Sequence, residues 1–98
     1  MTDLTVANII KDQIGPQAFM MIGAKNLSGT DDSLSFRIGR NSKKVNYVKV
    51  TLNGLDLYDI EDGWIRSMKY TVREIETNRY AADLHRSIEE NTGLYTHL

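Results

Sequence analysis

Residues 33–52 read SLSFRIGRNSKKVNYVKVTL. Leu34, Phe36 and Ile38 alternate with Ser33, Ser35 and Arg37, and Val48, Val50 and Leu52 alternate with Tyr47, Lys49 and Thr51. Successive side chains of a strand point to opposite faces, so each half of this stretch predicts a strand with one buried and one wet face. Gly39 to Lys44 between them is a basic loop. Two strands with one apolar face cannot stand alone in water, and whatever covers that face decides the fold.

Toward the N-terminus, Leu4, Ala7, Ile10 and Ile14 repeat at helical spacing, which predicts a helix over 3–14. Thr2 or Asp3 is placed to cap it, and Gly15-Pro16 is a strong stop. Ala18 to Ala24 (AFMMIGA) is apolar on both faces and short, which suits a first strand. Asn26 to Asp32 is rich in turn formers. Toward the C-terminus, Asn53-Gly54 fits a tight hairpin, or an irregular turn over Leu55 to Tyr58 before a short strand at 58–61. Asp62-Gly63 is a second hairpin signal, followed by a long strand with Trp64, Met68, Tyr70 and Val72 on one face. On that reading Trp64 is a core residue. Tyr80, Ala81, Leu84 and Ile88 form the stripe of a helix over 78–91, with Arg79–Asp83 and Arg86–Glu90 as i,i+4 ion pairs. Gly93 closes it, leaving a tail with Leu94, Tyr95 and Leu98 to bury. The expected fold is a single α+β domain over residues 1–98. An antiparallel sheet of four to five strands carries an N-terminal and a C-terminal helix packed on one face.

Composition narrows the function classes. The chain has 98 residues, 41% hydrophobic and 26% charged, with 12 Lys plus Arg against 13 Asp plus Glu. A net charge of −1 fits neither a polycation nor an acidic mimic of nucleic acid. With no cysteine, disulfide scaffolds, thiolate zinc sites and Cys nucleophiles are excluded. No apolar run approaches the ~18 residues of a membrane span and Met1-Thr2-Asp3 opens no signal peptide, so a cytoplasmic protein is expected.

Catalytic patterns do not assemble. No glycine pair has nucleotide-loop spacing, and His85 and His97 read as interfacial or solvent histidines. Asp56, Asp59, Glu61 and Asp62 could offer oxygens to Mg²⁺ or Ca²⁺, but the spacing matches no cation loop. A solvated acidic turn is the simpler reading, and neither metal nor cofactor is assigned. Charge is segregated instead. Residues 35–50 hold Arg37, Arg40, Lys43, Lys44 and Lys49 and no acid, whereas 51–65 hold the four acids and no base. Alternation would put Arg37, Tyr47, Lys49, Lys69 and Arg73 on the wet sheet face, with Arg40, Lys43 and Lys44 extending it. The expectation is a non-catalytic module that binds a protein partner, with nucleic acid on this basic face as the alternative. Self-association through the first strand, by Phe19 and Met21, is a further expectation.

Several segments also stand in a familiar order: FMMIGAKNL at 19–27, SLSF at 33–36, NYVKVTL at 46–52, DLY at 56–58, Lys69-Tyr70 and TGLYT at 92–96. In these the chain resembles a group of small hypothetical proteins of bacteriophages and conjugative elements, over about residues 14–98. The resemblance implies a mobile-element origin and an accessory role; with the small size, the lack of catalytic patterns and the segregated charge, it makes a host or element-encoded protein the expected partner. It carries no activity and no site residue.

Overall fold

The computed structural model describes residues 4–39 and 44–94. Helices α1 (Thr5–Ile14) and α2 (Pro16–Met21) precede five strands. These are β1 (Lys25–Gly29), β2 (Ser33–Arg37), β3 (Tyr47–Leu52), β4 (Tyr58–Arg66) and β5 (Lys69–Arg79). A 3-10 turn at Ala81–Asp83 leads into α3 (Leu84–Thr92). The strands form one antiparallel meander in the order β1-β2-β3-β4-β5, so the α+β class stands. No helix among the described residues is long and apolar enough to cross a membrane.

The alternation at 33–52 places its apolar half inward. Leu34, Phe36, Ile38, Val48 and Val50 are buried in one cluster with Ile60 of β4, Ala7, Ile10 and Ile14 of α1, Ala18 of α2, and Leu84 and Ile88 of α3. Two polar contacts pin the helices. The Tyr58 hydroxyl donates to Gln13 Oε1 at 2.6 Å, and His85 Nε2 donates to the Ile14 carbonyl at 2.6 Å. His85 is therefore interfacial, as expected.

Four expectations need correction. Residues 18–24 are not a strand. Gly15, at φ 87, ends α1, but Pro16 occupies the first turn of α2, where its missing N–H costs nothing. Ala18 and Ile22 then lie one turn apart and bury, and Gly23 at φ 67 closes the helix with Ala24 N donating to the Phe19 carbonyl. The first strand is β1, which starts at Lys25 and takes up the first half of the expected turn.

Asp62-Gly63 is no hairpin. Both residues sit within β4, Asp62 opposite Val48 and Gly63 opposite Tyr47. The chain reverses at Ser67-Met68, whose φ values of 51 and 63 are those of a type I′ turn. Trp64 consequently pairs with Thr71, half-buried and outside the core cluster, and Met68 is fully exposed at the tip. At Asn53 the irregular alternative holds, because its Oδ1 accepts from the amides of Leu55 and Leu57. Finally, residues 78–79 belong to β5 and α3 starts at Leu84. Tyr80 and Ala81 are exposed, and the ion pairs run Arg79–Glu76 and Arg86–Asp83, each at 3.0 Å. Thr2, Asp3, Arg40, Lys43, Tyr95, His97 and Leu98 lie outside the described residues.

Candidate functional site

The sheet face that carries Tyr47 and Lys49 holds carboxylates as well as cations. β4 lies beside β3 and brings Glu61 opposite Lys49 and Asp59 opposite Thr51. Glu61 also accepts the Tyr70 hydroxyl at 3.0 Å, and the Tyr70 and Tyr47 rings meet edge to face at 4.7 Å. Burial, and then the Glu61 carboxylate, push the Tyr70 hydroxyl far above its ordinary pKa, so it remains a donor. Arg37 shares this outward phase and pairs in register with Lys25 at the far edge. On this face Lys25, Arg37 and Lys49 thus meet two carboxylates, Asp59 and Glu61.

The remaining site residues disperse. The hairpin at 67–68 inverts the phase expected for β5: Tyr70 and Val72 share the face of Tyr47, while Lys69 and Thr71 alternate away from it. Lys44 is exposed, in the left-handed region at φ 61. Arg73 is the extra residue of a bulge, since Asp62 pairs with Glu74 but Gly63 with Val72. Its Nε donates to Asp62 Oδ1 at 2.8 Å, and its Nη2 to the Asn91 carbonyl at the end of α3 at 3.0 Å. The sheet and the last helix are clamped together there.

The acidic run disperses too. Asp62 is wholly buried, and burial raises its carboxyl above the ordinary value while the Arg73 hydrogen bonds pull it back. Asp59 Oδ1 accepts from Asn53 Nδ2 at 3.0 Å and from the Asn78 amide at 3.1 Å. Among the described residues no group of three His, Asp or Glu could hold a metal ion.

The helix that replaces the expected first strand creates a surface the sequence reading did not contain. Phe19 meets Phe36 edge to face at 5.3 Å and also lines a cleft of about 400 Å³, together with Lys11, Asp12, Pro16 and Leu27. A depression of about 170 Å³ shares Lys11 and Leu27 and continues past Gly29 of β1 to Leu34 of β2. Leu4, Ile9 and Met20 are exposed in and beside helices α1 and α2, Met20 to 80%. Because Phe19 and Met21 are helical, a strand face built from them does not exist. The signal for the cleft was in the sequence: Pro16 followed by Ala18 and Ile22 is the start of a helix as well as the end of one. No protein-family model, curated protein or solved structure matches this chain.

Proposed function

We propose that the chain is a non-catalytic binding module, an accessory factor of a phage or conjugative element, that takes an extended segment of a host or element-encoded protein into the cleft beside β1. The observation that carries this reading is the position of an open apolar cleft against a sheet edge. Among the described residues β1 pairs with β2 alone, and Leu27 and Gly29 of β1 line the cleft and its continuation. A strand added to such an edge gains backbone hydrogen bonds, while its alternate side chains enter the adjoining pockets. The lining by Pro16, Phe19 and Leu27 selects apolar side chains, and Lys11 and Asp12 between them offer the rim a charge of each sign.

Capture from host lysate tests this, with wild type and Leu27→Lys compared before and after nuclease treatment. Leu27 is exposed and lies outside the core cluster, and circular dichroism of the variant should match wild type. Wild type should retain a protein that survives nuclease, and the variant should lose it. Retention by the variant overturns the cleft as the site. Capture that disappears with nuclease transfers the function to nucleic acid.

A further inference from the structure

At the opposite edge of the sheet, β5 runs for 11 residues and, among the described residues, pairs with β4 alone. Natural edge strands are normally protected by charges pointing into the space a second strand would occupy. Here much of that charge is consumed within the chain. Arg73 is turned onto Asp62 and Glu74, and Glu76 is held by Arg79. What the edge shows instead is apolar: Val72 and Ile75 are 43% and 53% exposed. The bulge at Arg73 sets both on the same face as Tyr70 and Ile65, since Gly63 pairs with Val72, Glu61 with Ile75 and Ile65 with Tyr70.

We propose that β5 pairs with β5 of a second copy of this chain, antiparallel across a two-fold axis at Val72, joining two five-stranded sheets into one. An isologous interface must be complementary to itself, and this register is. With Val72 facing Val72 of the second copy and Arg73 set aside in the bulge, Tyr70 falls opposite Ile75 of the second copy. Thr71 falls opposite its Glu74 and Lys69 opposite its Glu76. Aromatic meets aliphatic, and no like charges oppose, since Glu74 and Glu76, already engaged by Arg73 and Arg79 of their own copy, face a hydroxyl and a cation. Cross-strand pairs of these kinds are the ones that stabilise antiparallel ladders. The other edge offers no such match, because β1 has five residues and its register is broken between Lys25 and Ser28.

The axis makes a specific test possible. Val72→Lys and Val72→Glu both alter an exposed side chain and leave the core untouched, yet each sets like charges face to face at the axis. Sedimentation velocity should show wild type as a dimer at high micromolar concentration and each variant alone as a monomer. An equimolar mixture of the two variants should dimerise again, because an ammonium from one copy then faces a carboxylate from the other. Circular dichroism of each variant should match wild type, which separates loss of association from loss of fold. A monomeric wild type, or a variant that still dimerises alone, overturns the interface. Failure of the mixture to associate overturns the axis at Val72.

Discussion

A β-carbon at Gly63 would run into the Thr71 carbonyl oxygen, because the bulge at Arg73 brings the β5 backbone against this position. No side-chain rotation relieves a clash with backbone. Gly63→Ala should therefore destabilise the domain by about 3 kcal/mol in urea unfolding, and an unchanged midpoint would remove the bulge from the fold. Its neighbour Asp62 carries the second prediction at this scale. Its carboxyl is buried and raised, so the fold holds the proton more tightly than the unfolded chain does, and this group's contribution declines as pH rises through the carboxylate range. Arg73 limits that decline by hydrogen bonding the ionised form. In Arg73→Ala the anion is left buried without its cation, which should cost about 3 kcal/mol at neutral pH. The deficit should shrink as pH falls below the carboxylate range, where Asp62 is neutral in either protein. A deficit independent of pH would mean that Arg73 acts through packing alone. Neither role is legible in the sequence. Asp-Gly is a hairpin signal when judged by its neighbours, and only Arg73 and Thr71, some ten residues on, reveal why the pair lies inside a strand.

The hairpin that does exist is built from the wrong residues for its shape. Ser67 and Met68 hold φ values of 51 and 63, a region that costs a residue with a side chain roughly 1–2 kcal/mol relative to glycine. Met68 is fully exposed and contributes no burial in return. Ser67→Asn with Met68→Gly should raise stability by about 1 kcal/mol, measured as a higher denaturant midpoint at unchanged slope. A lower midpoint would show that the turn is not type I′. The same mismatch is why local signals misplace the element boundaries. Turn chemistry at 62–63 is strong and at 67–68 is weak, and tertiary pairing chose the weak site. At α2 the reason is of a different kind. Pro16 reads as an end, while the i,i+4 spacing of Ala18 and Ile22 that makes it a beginning is hidden in a run of small and apolar residues. The stretch 33–52 and α1 are legible because their periods are unambiguous and both have a polar face to contrast with the apolar one.

At the scale of the whole molecule, the α+β class follows from two alternating strands and one helical stripe, because an apolar sheet face in so short a chain needs cover. The strand order does not, and only the pairing shows it. The candidate surfaces do not follow, since the phase of β5 is inverted by long-range pairing and the start of α2 is hidden in an apolar run. The same topology ranks the strands in stability. β3 is hydrogen bonded on both sides, to β2 and β4, and Val48 and Val50 sit in the middle of the core. β1 is a short, irregular edge whose Asn26 has φ 56 and whose residues 25–28 are exposed. Amides that open only with the whole domain report its full unfolding free energy, and those at frayed edges report less. Native-state hydrogen exchange should find the slowest amides at Val48 to Val50 and exchange faster by orders of magnitude at Lys25 to Ser28. Occupation of the cleft by a strand partner should slow the β1 amides selectively, because only that edge gains hydrogen bonds. Protection in β1 that already equals that of β3 in the isolated chain would mean the edge is covered within the molecule, and the cleft could then accept no added strand.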